Sequence, residues 1–502
     1  MALTIFDVAI EYARKKIGKV AGQVDLSTRQ REDFYNWYLN KDLNDSAKSI
    51  FTKENFPDCN EEELQAKRLH WSLLLGGFQR YGHYSGGNRI TALEGGDCCY
   101  DEMLANIRGA KTRVWLETYI FDRSPVGQLF FEALRDAAKR GCDVVLLVDY
   151  IGSFSFPSDW VAELEEAGAE VTFFNPVLPA SASVGPLSFR DHRKILICDD
   201  VGFCGGMNVQ DDVGEEKYGS SKFYDVHAKL QGPCVADLAE VFRDTLDENG
   251  GVVVRPRIPI PEAIEGGCYV QVLQSNVRKR RRTLQKVITR SINAAEDSLY
   301  ITTAYFFPPG FLRRALIQVP TRGAQLSLLL SGSSDFHPIP GDLLAQTHFL
   351  RRFFKDLRGH EQNFSVHLFH ERHMHAKHMS VDGIFSYIGS FNYDLYSARR
   401  NLEVGIAVFD PGFANTLKNL HLRKVADENC HKSTMSDWWY QHWFIRFACA
   451  SAYTFIRLSG RNFFDGLDCF QHKWLVRKAA LNSMLEDEAA HFVGMSMMWG
   501  LD

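Results

Sequence analysis

The sequence predicts an α/β fold: two tandem domains, each a mixed sheet flanked by helices, related by a pseudo-two-fold axis and carrying helical extensions at both ends. Three observations predict it. A motif of unusual composition occurs twice, in "DHRKILICDDVGFCGGMN" (191–208) and "MHAKHMSVDGIFSYIGSFNYD" (374–394). Segments around the two copies echo each other at a near-constant offset. Within each copy, β-rich runs alternate with helical ones, the pattern of a layered α/β domain.

The motif is His-x-Lys-x4-Asp. His192, Lys194 and Asp199 match His375, Lys377 and Asp382, and each set runs into a Gly-small-x-Asn turn ending at Asn208 or Asn392. With 17 histidines, and Lys and Asp each near 0.06 of residues, about 0.06 accidental matches are expected in a chain of this length. Two copies with the same following turn mark a duplication. "VWLETYIF" (114–121) echoes "YITTAYFF" (300–307), and "KRGCDVVLLVD" (139–149) echoes "TRGAQLSLLLSG" (321–332). The offsets are 186 for Tyr119/Tyr305, 182 for Arg140/Arg322, 183 for the His pair and 184 for the Asn pair, which is one unit copied.

Each unit reads strand, helix ("GQLFFEALRDAAKRG" and "GFLRRALIQVPTRG"), strand, then the motif strand. The expected division is a helical region over 1–80, a first domain over 81–250, a second over 251–430 and an aromatic-rich helical region over 431–502. Pro256, Pro259 and Pro261 stiffen the linker at 248–267.

Composition bounds the chemistry. A chain of 502 residues, 45% hydrophobic and 24% charged, is ordinary for a globular protein. Its net charge of −5 gives no global pull toward nucleic acid, so any anion site is local. Eleven cysteines, mostly inside apolar runs, read as free thiols of a reducing compartment. Their spacings give no zinc pattern. The histidine-dense "HLFHERHMHAKH" (367–378) invites a metal reading, but strand alternation sends its neighbours to different faces. No metal and no cofactor is expected.

Residues two apart on a strand share a face, so His192 projects with Lys194, and His375 with Lys377. Asp199 and Asp382 lie seven residues on, with opposite parity and roughly 23 Å away along an extended strand; they are expected to be structural. If the halves pair about a pseudo-two-fold axis, one cleft holds two imidazoles, two ammonium groups and two amides, a cage for a phosphodiester. Lys194 and Lys377 would hold the non-bridging oxygens, with Asn208 and Asn392 donating to them. One neutral imidazole would attack phosphorus while the other, protonated, serves the leaving alkoxide. Opposite protonation states call for an orienting carboxylate at each imidazole. The candidates are Glu403, 28 residues after His375, and Asp225, 33 after His192. Ser390 and Gly206, in the turns, are candidate substrate contacts. Glu117, inside an apolar strand, is expected to be a buried, hydrogen-bonded carboxylate near the cleft. The loops 149–160 and 331–342 leave corresponding strands and are expected to wall the substrate pocket.

At these residues the chain resembles the phospholipase D superfamily, whose hallmark is the paired His-x-Lys-x4-Asp motif. "WLETYIFD", "FRDHRKILICDDVGFCGGMNV" and "YDVHAKLQGPCVADLAEVF" most resemble bacterial-type cardiolipin synthases, over roughly residues 80–430. The resemblance implies phosphatidyl transfer from phosphatidylglycerol through a covalent phosphohistidine. It favours His192 as nucleophile, where the motif geometry alone is symmetric, and implies that Glu403 orients the second histidine. The alternatives are hydrolysis to phosphatidic acid, a nuclease-like phosphodiesterase, which the acidic balance disfavours, and a silent lipid-binding scaffold, which two intact motifs disfavour.

The resemblance departs at the ends. The two membrane-spanning helices with which many relatives start are not seen here, and no segment of the sequence reaches the roughly 18–20 apolar residues of a span. Membrane contact would then be peripheral, facing a reducing compartment: an inner membrane in a bacterium, a mitochondrial one in a eukaryote. Three segments are candidates: an amphipathic start (1–22), the basic run "RKRRR" (278–282) and the aromatic tail "WWYQHWFIRFACASAYTFIRLSGRNFF" (438–464). For each, a packed or solvated helix is the plain alternative. The expected partners are an anionic phospholipid, phosphatidylglycerol, and a membrane surface, with no nucleic acid; oligomeric state is open.

Overall fold

A computed structural model describes residues 47–176, 189–249, 251–276, 279, 281–335, 339–439 and 442–459. The amphipathic start at 1–22 and part of the basic run lie outside the described residues. The first repeat contributes β1 (Tyr84–Glu94), β2 (Arg113–Thr118), β3 (Asp143–Asp149), β4 (Glu170–Phe174), β5 (Ile195–Cys198), β6 (Val201–Gly205), β7 (Phe223–Tyr224) and β8 (Val226–Gln231). The second contributes β9 (Cys268–Asn276), β10 (Arg281–Arg282), β11 (Ser298–Thr303), β12 (Gln325–Ser331), β13 (Phe364–Phe369), β14 (His373–Met374), β15 (His378–Val381), β16 (Phe385–Gly389), β17 (Glu403–Phe409) and β18 (Cys430–Ser433).

The two repeats share one sheet. From the seam where β1 pairs antiparallel with β9, the first half runs β1-β8-β6-β5-β2-β3-β4 and the second β9-β17-β16-β15-β11-β12-β13, with β18 beyond. The two orders match strand for strand, which is the duplication written in hydrogen bonds. In each half the parallel pair β2–β3 or β11–β12 is joined by a crossover helix, Pro125–Lys139 or Gly310–Thr321, as parallel strands require. Helix Pro125–Lys139 begins where Ser124 caps the Gly127 amide and Pro125 supplies a helical φ. Its face of Val126, Phe130, Leu134 and Ala137 is buried, at helical spacing.

The hydrogen-bond register corrects one sequence alignment. Glu117 stands opposite Leu147 and Thr302 opposite Leu329, and Phe121 and Phe306 make equivalent bridges to Val209 and Tyr393. The offset here is 185, so Tyr305 corresponds to Ile120 and not to Tyr119. One apolar cluster runs across the seam, from Trp115, Val145 and Phe242 to Leu329, Ile388 and Val404. The linker is pinned as well: Arg255 reaches Asp143 (2.8 Å) and Glu170 (2.6 Å), and Ile258 is buried. The basic run does not simply precede a helix: Arg281 and Arg282 first pair antiparallel with Asn276 and Ser275 at the end of β9.

Candidate active site

One continuous motif strand was the expectation; the structure instead breaks it at the residues that matter. His192–Lys194 and His375–Lys377 lie in irregular segments that lead into β5 and β15. Their amides are turned toward the other repeat. The His192 amide donates to the Leu402 carbonyl at 3.0 Å, and the His375 amide to the Tyr224 carbonyl at 2.7 Å. These are the two ends of one pseudo-symmetric crossing: Asp191 bridges Leu402, while β14 pairs in parallel with β7.

The crossing decides which carboxylate meets which imidazole. Leu402 precedes Glu403 and Tyr224 precedes Asp225, so each histidine is delivered to the other repeat's acid. His192 Nδ1 lies 3.2 Å from Glu403 Oε2, and His375 Nδ1 lies 2.6 Å from Asp225 Oδ2. The pairing expected within each half, Asp225 with His192 and Glu403 with His375, is therefore corrected: the acids are exchanged. Both carboxylates are fully buried. With Nδ1 engaged, Nε2 is the ring nitrogen left for chemistry in each case.

Ser390 is bound to the acid of its own repeat. Its hydroxyl donates to Glu403 Oε2 and accepts from the Val404 amide at 3.0 Å, while Asn401 Nδ2 reaches Glu403 Oε1 at 3.2 Å. Gly206 is buried under the opposite acid: a Cβ there would stand 2.4 Å from Asp225 Oδ1. It makes room for the carboxylate.

The lysines also differ from expectation at rest. Lys194 Nζ donates to the His192 carbonyl at 2.8 Å, and Lys377 Nζ to the His375 carbonyl, leaving two N–H donors on each ammonium. Asn208 Oδ1 accepts from the Ile120 amide at 3.2 Å, and Asn392 is buried beside the turn it closes. Asp199 takes the amides of Lys111, Thr112 and Arg113, and Asp382 those of Glu296, Asp297 and Ser298. Both sit at positive φ, 50° and 53°, as Asp does in tight turns. Their oxygens are committed to the sheet edge.

Electrostatically the groups behave as one cluster. Burial, then Lys377, drives His375 down to about 3 against the pull of Asp225. Burial, then Lys194, lowers His192 against Glu403. Burial brings Lys194 to about 7 and Lys377 to about 8. Burial raises Asp225 and Glu403, but Lys377 and His375 outweigh it at Asp225, and His192 does so at Glu403, so both stay below the ordinary carboxylate range. Lys377, from the second repeat, acts on His192 and Lys194 of the first. The resting site thus holds neutral imidazoles, ionised acids and weakened ammonium groups, a set that an entering phosphate anion would recharge.

Several neighbours carry no motif signal. Tyr119 packs edge-on to His192 (5.2 Å between ring centroids), with Lys194 Nζ 5.2 Å from its ring centre. Phe223 stacks on His375 at 5.3 Å and 17°. Arg193, between His192 and Lys194, is fully buried and reaches the Glu403 carbonyl, Thr245, Gln274 and, at 3.7 Å, Glu117. Glu117 is buried as expected, paired with Arg193 and set against the Asp191 carboxylate and the Thr245 hydroxyl. Burial first, then Asp191, raises its pKa well above normal. A surface cavity of about 570 Å³ is lined by Asp97, Glu215, Glu216, Ser221, Glu371 and Arg372, with neither motif imidazole in its wall; that mostly acidic wall does not suit a lipid phosphate. Among the described residues no group of three or more His, Cys, Asp or Glu is arranged to hold a metal.

Comparison with known proteins agrees with this architecture. A family model described as "Cardiolipin synthase, PLD-like domain" matches residues 103–217 and 288–423, one stretch in each repeat and together half of the chain. The cardiolipin synthase of Halalkalibacterium halodurans is 29% identical over 76% of this chain and 75% of its own. Cardiolipin synthase A of Pseudomonas fluorescens is 27% identical over 77% and 79%. The crystal structure of a phosphatidylserine synthase from Haemophilus influenzae shares the fold, with a TM-score of 0.58 at 16% identity, covering 74% of this chain and 93% of that one. With both repeats matched, the chain belongs to the cardiolipin synthase family of phospholipase D-like phospholipid phosphatidyltransferases.

Proposed function

We propose that the chain moves a phosphatidyl group from one phosphatidylglycerol to the hydroxyl of a second, through a phosphohistidine. His192 Nε2 forms a bond to phosphorus as the bond to the glycerol oxygen breaks, and the His375 imidazolium gives that alkoxide its proton. Neutral His375 then takes the proton of the acceptor hydroxyl, whose oxygen displaces His192. Two phosphatidylglycerols become cardiolipin and glycerol. The observation that carries this reading is the exchanged pair of His–carboxylate contacts, which gives two separately oriented imidazoles to one site. An entering phosphodiester anion, beside Asp225, favours the protonated His375 that the first step requires.

The family is one of phospholipid enzymes, and the described tail suits contact with a bilayer surface. In helix Trp443–Ser459, Trp443, Phe444, Ile445 and Phe447 are exposed, and no helix of the described residues is long and apolar enough to cross a membrane. Phe154 and Ile339, on the two loops expected to wall the pocket, are also exposed. Aromatic and apolar side chains of this kind favour the headgroup level.

The test is the product formed from labelled phosphatidylglycerol vesicles by the purified protein. Cardiolipin plus glycerol is expected; phosphatidic acid alone would replace transfer with hydrolysis.

A further inference from the structure

We propose that Ser333, Asp335 and His373, beside His375, form a subsite for the vicinal hydroxyls of a glycerol headgroup. The inference rests on the phosphatidyl-transfer reading and adds the recognition of the headgroup to it.

His373 is 3% exposed, and its ring lies 6.3 Å from that of His375. Its Nδ1 faces the Ser333 carbonyl at 2.9 Å and the Ser331 hydroxyl at 3.1 Å. A carbonyl only accepts, so Nδ1 carries the proton and Nε2 of the neutral ring is an acceptor. That Nε2 is buried with no hydrogen-bond partner among the described residues, and the same holds for Ser333 Oγ and Asp335 Oδ1. The other oxygen of Asp335 is fixed by the Tyr305 hydroxyl, and the Tyr305 ring lies 5.8 Å from His373. Asp335 acts electrostatically on both His373 and Lys377, so its charge is felt at the site.

Two buried acceptor atoms and one buried hydroxyl oxygen, unmet among the described residues, match a ligand with adjacent O–H donors; a choline or other hydroxyl-free headgroup would leave them unpaired at a cost. The equivalent place in the first repeat is already full. There Arg190 and Asp149 stand where the second repeat has His373 and Ser331. Asp149 takes the Arg190 guanidinium at 3.2 Å and the amides of Ile151, Gly152 and Asp191 at 3.0, 2.9 and 2.8 Å. The diol subsite therefore belongs to one side of the duplicated frame, the side of His375.

The experiment measures, on the full chain, the ratio of kcat/KM for phosphatidylglycerol to that for phosphatidylmethanol, whose headgroup has no hydroxyl. Each is a headgroup-labelled donor in vesicles that contain the same excess of unlabelled phosphatidylglycerol as acceptor, and the readout is released glycerol or methanol. Asp335→Leu and His373→Phe are expected to lower that preference roughly tenfold or more. The isosteric Asp335→Asn, the variant least disturbing to the fold, is expected to lower it several-fold. Added free glycerol names the source: competition in wild type that weakens in the variants means that the free diol is held too, and a lost preference without competition means that only the lipid-borne one is. Either result supports the subsite. A preference unchanged in all three variants, including the case where both substrates slow equally, would overturn it. A wild-type protein that leaves phosphatidylglycerol intact would instead overturn the transfer reading.

Discussion

The two repeats share a backbone and differ in what surrounds their histidines. Around His192 the inserts are charged: Arg190 with Asp149, and Arg193 set among Glu117, Thr245 and Gln274. At the matching places around His375 stand His373 with Ser331, Ala376 for Arg193, and Thr302 for Glu117, the last bonded to His421. The strand order, the Asp turns and the carboxylate crossing are common to both. Duplication thus supplied a symmetric reaction frame, and divergence one shell away made its two sides unequal. Symmetric parts are read as chemistry, and asymmetric parts as support and recognition.

The largest effect tests the symmetric part. His192→Ala and His375→Ala are each expected to lower turnover on the order of 10⁴-fold, since residues acting as a unit fail together. Measured side by side on phosphatidylglycerol vesicles, one variant with full activity would break the equivalence of the two sides.

The asymmetric part is sharpened by a matched pair of stability measurements. Arg193→Met takes the cation from the buried, proton-sharing Glu117–Asp191 pair and is expected to cost about 3–5 kcal/mol in denaturant unfolding. Thr302→Val, at the place matching Glu117, removes one neutral hydrogen bond and is expected to cost about 1 kcal/mol. Equal costs would mean that the charged insert does not distinguish the first repeat.

A smaller effect lies in pH. His375 titrates at about 3 in the folded protein and near 6.5 when unfolded, so its neutral form is favoured by folding. Its contribution is complete above about pH 6.5 and is lost as pH falls toward 3, with a slope of at most about 1.4 kcal/mol per pH unit. Asp225 and Glu403, held low, add losses below the ordinary carboxylate range. His375→Asn is expected to flatten the stability profile between these limits; an unchanged profile would contradict the resting state described above.

Much of the site was legible because the chemistry-bearing residues repeat at fixed spacing. His192, Lys194, His375 and Lys377 stand out by parity and recurrence, and the structural turns at Asp199 and Asp382 follow from a distance that no strand can close. What was not legible depends on chain crossing. Asp225 is 33 residues from His192 and 150 from His375, yet it bonds the distant one, because backbone pairing across the seam sets the contact. The bond from Ser390 to Glu403 was not legible because a turn hydroxyl has no sequence signal for the acid it faces. Tyr119 and Tyr305 aligned by letter but not by register, since a one-residue slip between two similar apolar runs is invisible without the hydrogen bonds. Arg193 and Ala376 occupy the variable position of the motif, where spacing carries no information.

The central claim is that each imidazole takes its orientation from the other repeat's carboxylate. Nitrogen-15 NMR of the histidine rings tests it directly, in wild type, Asp225→Asn and Glu403→Gln. The exchanged pairing predicts that Asp225→Asn shifts the His375 ring resonances and leaves those of His192 in place, with the reverse for Glu403→Gln. A His192 shift on altering Asp225, with His375 unmoved, would contradict it.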